Sequence, residues 1–280
     1  MNHGRALQPI GSAEGTSAPV LEMAAAFEDA AARDPQGPLM RWYRLAGRPV
    51  CVRIAGRRFA ERITRAFSHL EASGEPGRAA QLSIELWDAE ETGVPRPIRY
   101  FRDAFDRTWP FGNFVQASSA DESVVGFQSH QAASLLDRRA GRIVGCVESF
   151  DRLSLYERGK PLQPLLFAWS SDHDVLPVHA GLVARNGKGI LFGGAGGSGK
   201  STTALMSLHA GFDYLGDDYI GLPPFQGGVS EAFSFYNSTW LDPDHLKRFP
   251  WLARHAIYGM PHEDKALVLL ADVMAERLTD

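Results

Sequence analysis

A glycine-rich run between an apolar stretch and a helix-forming stretch constrains this chain more than any other feature. Residues 189–192, Gly-Ile-Leu-Phe, are typical of a short strand, and residues 200–211, "KSTTALMSLHAG", are typical of a helix that ends at Gly211. Between them the chain satisfies the pattern G-x-x-x-x-G-K-[ST]. Glycines let the backbone N–H groups turn inward around phosphate oxygens, and the following helix adds the positive end of its dipole. The run therefore predicts a phosphate-binding loop for a nucleotide.

The last two residues of the motif, a lysine and a serine, have separate expected roles. We expect the Lys200 ammonium to reach the β- and γ-phosphates as a point charge, and the Ser201 hydroxyl to ligate Mg²⁺. ATP and Mg²⁺ are accordingly the expected nucleotide and metal. The predicted nucleotide-binding residues are Gly194, Ala195, Gly196, Gly197, Ser198, Gly199, Lys200, Ser201 and Thr202.

Two adjacent aspartates follow the lysine of the loop by seventeen residues. Asp217 and Asp218 end a predicted strand at 212–218, directly after the loop's helix. A strand, helix, strand order brings such residues beside the mouth of the loop. One carboxylate there could hold Mg²⁺ while its neighbour accepts a proton from an attacking hydroxyl. The alternative is a solvated turn or a cap on the next element, which aspartates often form.

The histidines of the chain offer one candidate beside the loop. His179 lies in the predicted strand "PVHAG", residues 177–181, and from spacing alone its side chain could face either the core or the loop mouth. The other histidines and the two cysteines, Cys51 and Cys146, follow no zinc-binding or redox spacing. We therefore predict no zinc site.

Composition changes divide the chain into three predicted parts. Residues 1–19 are rich in Gly, Ser, Ala and Pro without periodicity, which predicts a disordered arm. Residues 20–172 predict an α+β domain that could bind an acceptor, and residues 173–280 the domain of the phosphate-binding loop. In the first domain we expect helices at 20–33, 57–72 and 160–172, and strands at 48–56, 81–90, 123–130, 133–139 and 141–150.

The C-terminal part contains one strong turn signal and several weaker patterns. Asn186-Gly187 between two apolar runs predicts a β-hairpin. Extended chain is expected at 219–224, a strand at 232–240, a helix after Asp242-Pro243, and a strand at 265–273.

Composition also narrows the class of partner. The formal net charge is −4 over 280 residues, which gives no general attraction to nucleic acid or to a membrane surface. Apolar runs stay too short to span a bilayer, and the N-terminus has no basic segment followed by an apolar one. We expect no nucleic-acid or membrane partner and a cytoplasmic location.

The segment "VHAGLVARNGKGILFGGAGGSGKSTTALMSLHAGFDYLGDD" resembles the catalytic core of HPr kinase/phosphorylase, and the resemblance covers residues 173–218. In that family a strand with a histidine, a hairpin, a phosphate-binding loop and an Asp-Asp pair follow in the same order. The resemblance implies an α/β fold with a PEP-carboxykinase-like P-loop core, a mixed sheet with helices, preceded by a smaller α+β N-terminal domain. It also implies that Asp217 is the base, that Asp218 serves the metal, and that His179 is catalytic alongside Lys200.

The resemblance implies a kinase that transfers the γ-phosphate of ATP to a serine or threonine of a small protein or peptide. The family's Glu-x-Arg-Gly-Leu-Gly-like segment, which handles HPr and the reverse reaction, has no counterpart at 219–280. Residues 20–172 instead resemble HPr-kinase-related serine kinases, some of which modify the precursors of lasso peptides and other ribosomal peptide products. The rings of six subunits that HPr kinases form imply self-association.

The sequence alone leaves other functions of the loop open. A nucleotide-binding switch would use Lys200 and Ser201 without needing the base Asp217. A small-molecule kinase is an alternative because PEP-carboxykinase-like folds also accept small acids, and GTP or pyrophosphate could replace ATP. A transport ATPase is disfavoured, since no LSGGQ-like signature is present.

Overall fold

The computed structural model describes residues 17–74, 79–111, 113–225, 231–260 and 263–279. In these ranges the strands are β1 Leu39–Leu45, β2 Arg48–Ala55, β3 Leu82–Asp88, β4 Arg107–Phe111, β5 Phe114–Ser118, β6 Val124–Gln128, β7 Ala132–Asp137, β8 Arg142–Val147, β9 Leu176–His179, β10 Gly181–Arg185, β11 Lys188–Phe192, β12 Asp213–Gly216, β13 Tyr219–Leu222, β14 Phe233–Ser234, β15 Ser238–Leu241 and β16 Ala266–Leu269. The α-helices are α1 Ala18–Arg33, α2 Arg57–Ile63, α3 Ala89–Thr92, α4 Leu155–Gly159, α5 Gln163–Ser171, α6 Lys200–His209, α7 Pro243–Arg248, α8 Pro250–Ala253 and α9 Ala271–Met274. The chain is an α/β protein.

The largest sheet has eight strands in the order β1-β2-β3-β8-β7-β6-β5-β4. The neighbours β2, β3 and β8 run parallel, and the other adjacent pairs are antiparallel, so the sheet is mixed. The central strands β3 and β8 are buried along nearly their whole length. Both faces of the sheet are covered at these strands. This is expected for β8, because its sequence after Arg142 is a continuous apolar run and does not alternate between apolar and polar residues.

Helix α1 covers one face of this sheet. Its Met23 and Phe27 are fully buried against Trp87 of β3 and Val144 of β8. Burying an apolar side chain of this size contributes about 1.5–3 kcal/mol. The predicted helix at 20–33 is confirmed and begins two residues earlier, at Ala18, so the end of the predicted arm belongs to the helix. Residues 1–16 of that arm lie outside the described residues.

The second face of the sheet shares its core with the C-terminal part of the chain. Phe59 of α2 and Ile84 of β3 belong to the same buried cluster as Trp169 of α5, Phe235 and Leu267. The apolar core therefore continues across residue 172, the boundary predicted between the two domains.

The C-terminal part contains three smaller sheets, with the orders β11-β10-β12, β14-β13-β9 and β15-β16. Strands β11 and β12 both pair antiparallel with β10, so they run parallel to each other with β10 between them. Helix α6 connects them, which confirms the strand, helix, strand order predicted around the loop. The hairpin at Asn186-Gly187 is also confirmed, because β10 and β11 pair from Arg185 and Lys188 onward.

Two features of the predicted architecture were wrong. The N-terminal stretch is not the smaller part, since it contains the eight-stranded sheet, and the mixed sheet lies there rather than around the loop. The expected strand at 232–240 is broken into β14 and β15, which belong to different sheets. The break places Phe235 and Tyr236 in the core that joins the two stretches, and Asn237 donates to the carbonyl oxygen of Arg65.

Candidate functional site

The glycine-rich loop that the sequence predicts to bind phosphate follows β11 directly and leads into α6. Gly197 and Gly199 have φ angles of 78° and 91°, in the left-handed region that favours glycine. A Cβ added at either position would meet no described atom within 4 Å, so this side of the loop faces open space. The loop therefore has open space in front of these two glycines.

Lys200 points into the loop rather than away from it. Its side chain is buried, and its Nζ donates to the carbonyl oxygens of Gly194 at 2.9 Å and Ala195 at 3.2 Å. The Ser198 N–H donates to the same Ala195 oxygen and closes the turn. A phosphate group entering the loop could exchange with these carbonyl contacts, because an ammonium has three donors.

The two residues after the lysine differ in their surroundings. Ser201 and Thr202 are partly buried in the first turn of α6. The Thr202 Oγ1 lies 3.2 Å from His245 Nε2, and the other ring nitrogen of His245 lies 2.9 Å from Asp242 Oδ2. Thr202 therefore ties α6 to α7, whereas Ser201 is the hydroxyl that the loop pattern assigns to a metal.

The loop, the aspartates and His179 meet at one edge of the sheet. Gly181, the first residue of β10, pairs with Phe192 at the end of β11, and Leu182 pairs with Gly216 at the end of β12. The residues that follow Phe192 and Gly216 therefore leave the sheet together, beside the residues that precede Gly181. This register brings the three sequence features into one place.

Asp217 is the buried member of the aspartate pair. Only 4% of its surface is exposed, and its Oδ2 accepts from the Thr239 hydroxyl at 2.6 Å. Among the described residues it has no ion-pair partner. Burial and the Asp217 charge raise the pKa of Tyr214 well above its ordinary value, which locates this ring close to the carboxylate.

Asp218 faces a lysine and a histidine side chain. Its Oδ1 lies 3.0 Å from His179 Nε2, and its Oδ2 forms an ion pair with Lys160 Nζ. Its backbone carbonyl accepts from the Ala180 N–H at 3.0 Å, which fixes the turn against the end of β9. Both carboxylate oxygens are thus engaged, and Asp217 and Asp218 have different partners.

His179 is half-exposed and stacks on Tyr219, with ring centroids 5.3 Å apart. Burial lowers its pKa, the Lys200 and Lys160 charges lower it further, and Asp217 opposes them. The imidazole therefore lies within electrostatic reach of the loop lysine and of the aspartates. The sequence left its direction open, and the structure turns it toward the site rather than into the core.

Lys160 is the residue of this site that sequence reasoning missed. It is 6% exposed and lies over the rings of Trp240, Tyr156 and Tyr219 at 4.2, 5.4 and 5.5 Å. Burial lowers its pKa to about 8, with the Asp217 charge opposing and the Lys265 charge adding to the effect. It belongs to no motif and lies 58 residues before its partner, so no pattern in the sequence marks it.

The donor atoms beside the loop suit a hard cation. Mg²⁺ prefers oxygen ligands and is held by few protein groups together with phosphates. The Ser201 hydroxyl and the Asp218 carboxylate would hold it, with Lys160 and His179 sharing the carboxylate. Within the described ranges, no group of three or more His, Cys, Asp and Glu side chains is arranged to hold a metal by itself.

Comparison with known proteins gave no identification, since neither a protein-family model nor a curated protein sequence matches the chain. Among the helices that the structure describes, none is both long and apolar enough to cross a membrane. What can be said of function therefore depends on the chemistry of the site.

Proposed function

We propose that the protein is an ATP- and Mg²⁺-dependent kinase that phosphorylates a serine or threonine of a small protein or peptide, for example the precursor of a ribosomal peptide product. The observation that carries the proposal is the register of β10, because it brings the loop after β11, the aspartates after β12 and His179 to one edge. A nucleotide-binding loop with a carboxylate pair and an imidazole beside it has the groups that phosphoryl transfer needs.

The loop supplies binding and charge. Lys200 would exchange its contacts with Gly194 and Ala195 for contacts with the phosphates of ATP. Bound Mg²⁺ would neutralise charge on the phosphates, with Ser201 and Asp218 among its ligands. Phosphoryl transfer asks for little covalent chemistry from the protein, so positioning and electrostatics account for most of the rate.

Asp217 is the better candidate for the base. Both oxygens of Asp218 are engaged, one by the Lys160 ammonium and the other by the His179 imidazole, whereas Asp217 accepts from the neutral Thr239 hydroxyl. In the proposed step the acceptor hydroxyl gives its proton to Asp217, the acceptor oxygen bonds to the γ-phosphorus, and the bond to the bridging β–γ oxygen breaks to release ADP. His179 would hold Asp218 and present its exposed edge to the reacting phosphate.

The first experiment tests nucleotide binding and transfer together. The protein is incubated with γ-labelled ATP and Mg²⁺, with and without peptides encoded beside its gene, and products are identified by mass spectrometry. Lys200→Ala removes charge-assisted contacts and should weaken ATP binding by about 10- to 100-fold. The exposed Lys188 of β11 offers the matched control, and Lys188→Ala should leave binding unchanged.

The second experiment separates transfer from binding. Asp217→Asn should keep ATP affinity and lower transfer by about 10²–10⁴, because the amide cannot take the proton. Asp213→Asn is the control, since this partly exposed aspartate begins the same strand, β12, and faces Arg277. Full transfer by Asp217→Asn would refute the assignment of the base.

Two other results would replace the proposal. Tight ATP binding without transfer to any peptide or metabolite would indicate a nucleotide-dependent switch. Transfer to a small hydroxy compound, but to no peptide, would indicate a small-molecule kinase.

A further inference from the structure

The backbone on both sides of Lys160 is held by the C-terminal part of the chain. The carbonyl oxygen of Gly159 accepts from the Ser238 hydroxyl at 2.6 Å, and that of Pro161 accepts from the Tyr236 hydroxyl at 2.8 Å. Both donors are buried, so these bonds are sheltered from water. The main chain around Lys160 is therefore fixed by a residue before β15 and by the first residue of β15, and not by the preceding helix α4 alone.

Two residues close to Lys160 are constrained by their surroundings. A Cβ added at Gly159 would lie 2.6 Å from the Trp240 ring and 2.8 Å from Leu267, closer than packed atoms approach. Leu162 has a φ of 59°, a conformation that L side chains rarely adopt and that costs on the order of 1 kcal/mol. Such backbone persists only where its surroundings enforce it.

The side chain of Lys160 then crosses from one part of the chain to the other. Its ammonium lies over the rings of Tyr156, Tyr219 and Trp240 and pairs with Asp218, whose other oxygen contacts His179. Cation–ring contacts of this kind favour the charged form and fix its place. A continuous chain of contacts results, from the segment before α5 to the imidazole beside the loop.

We propose that Lys160 is a positioning residue for phosphoryl transfer, which holds Asp218, and through it His179, in register with the phosphate-binding loop. The inference rests on the proposed kinase function, and it adds a residue from the N-terminal stretch to a site otherwise built from residues 173–240. Lys160 acts through Asp218 and need not touch either substrate.

If the Lys160–Asp218 ion pair only stabilised the fold, its loss would have a different effect from the loss of a positioning residue. Loss of a structural pair lowers stability and leaves the kinetics of the folded protein unchanged. Loss of a positioning residue lowers kcat in protein that is still folded, because a displacement of about 1 Å at a reacting group costs about 10²-fold in rate.

The test compares Lys160→Met and Lys160→Arg with Lys247→Met. Lys247 is an exposed lysine paired with Asp244, so it provides the matched control for the removal of a Lys–Asp pair. We expect Lys160→Met to lower kcat by about 10- to 100-fold with ATP affinity unchanged. Lys160→Arg, which keeps a cation, should recover part of kcat, and Lys247→Met should match the wild type.

A double variant checks that Lys160 acts through Asp218. If it does, Lys160→Met should lower kcat far less in an Asp218→Asn background than in the wild type, because the partner has already been removed. Additive losses would overturn the proposal. So would a kcat for Lys160→Met equal to that of Lys247→Met.

A measurement that does not require enzymatic activity tests the role of Lys160 independently of the kinase proposal. The imidazole signals of His179 in an NMR spectrum should move in Lys160→Met and stay fixed in Lys247→Met. If the wild type transfers no phosphate, the kinase proposal fails, while a moved His179 signal still supports the role of Lys160 in holding this edge. An unmoved signal would overturn it. Should Lys160→Met not fold, Lys160→Arg and Asp218→Asn carry the same comparison.

Discussion

The central strands of the large sheet are deeply buried, whereas the strand that leads into the glycine-rich loop is largely exposed. Leu86 and Trp87 of β3 are almost completely buried on opposite faces, whereas Ile190 and Leu191 of β11 are 52% and 44% exposed. Apolar burial is the main source of stability, so β3 contributes much of it and β11 little. The loop is therefore carried by a strand that the core of the described chain hardly holds.

The rigidity of the site comes instead from the elements around β11. Val183 of β10 and Leu205 and Leu208 of α6 are buried in a cluster that includes Phe249 and Val268. This cluster holds both the strand beside β11 and the helix after the loop. Stability and the site thus depend on different residues, and three predictions test that separation.

The largest effect on stability is expected at Trp87. Its side chain is fully buried under α1, and its Nε1 donates to the Val94 carbonyl at 2.9 Å. Trp87→Ala should lower the free energy of unfolding by about 3–5 kcal/mol, measured by urea denaturation. Trp109→Ala, at a 48% exposed position in β4 of the same sheet, should cost less than about 1 kcal/mol.

If the two regions are separate, the Trp87→Ala protein that remains folded should bind ATP with wild-type affinity. An equal loss of stability in both tryptophan variants would show that the sheet is not supported from its α1 face. A loss of ATP affinity in the folded variant would show that the large sheet and the loop are coupled.

The same contrast explains how much of the fold the sequence could predict. The buried strands β2, β3 and β8 and the helix α1 were predicted because their apolar runs and periodicity are local properties. The loop, the hairpin at Asn186-Gly187 and the aspartate pair were predicted from residue types with a fixed mechanism. Each of these signals is complete within a short, continuous stretch of chain.

Other elements depend on distant partners and gave no local signal. Strand β1 alternates poorly, with Trp42 and Tyr43 both buried, and its extended form depends on pairing with β2. Residues 265–273 were expected to form one strand, but β16 ends at Leu269 and a helix follows. Lys160 depends most on distant partners, because its contacts with Asp218 and Trp240 exist only in the folded chain.

The second prediction concerns His69, which lies where the two stretches of the chain meet. Its Nε2 lies 2.8 Å from the Ser234 hydroxyl, which donates to the Leu215 carbonyl, so the ring donates to Ser234. Its Nδ1 faces the amide nitrogen of Asn237 at 3.4 Å. A second proton on the ring would therefore meet a donor, and the folded protein holds His69 neutral.

Burial lowers the pKa of His69 from 6.5 to about 3. The unfolded chain takes up a proton near pH 6.5 and the folded chain does not, so this contribution to stability is complete above pH 6.5 and declines toward pH 3. Between pH 7 and about pH 5 the loss should be about 2 kcal/mol, measured by urea denaturation. His69→Gln should remove this pH dependence, and the exposed His130→Gln should keep it.

A wild-type stability that does not change between pH 7 and pH 5 would mean that His69 titrates normally and that the two stretches leave it accessible to water. A dependence that survives in His69→Gln would assign it to another group. Either result would mean that the N-terminal and C-terminal stretches pack less closely around His69 than their shared core indicates.

The smallest effect on stability is expected at Ile190 of β11. Ile190 and Val183 are directly paired across β11 and β10, yet Ile190 is 52% exposed and Val183 is fully buried. Threonine keeps the branched shape that strands favour, so Ile190→Thr should change the free energy of unfolding by less than about 0.5 kcal/mol.

Val183→Thr is the matched change, because it buries the same hydroxyl and should cost about 1–3 kcal/mol. If the two variants lose equal stability in urea denaturation, Ile190 is covered in solution by something that binds along β11, and the strand is not a free edge. If Ile190→Thr is neutral and ATP affinity is unchanged, the loop keeps its shape without support from the side chains of its own strand. In that case the pairing with β10, together with the backbone of the glycines, is sufficient to present the loop.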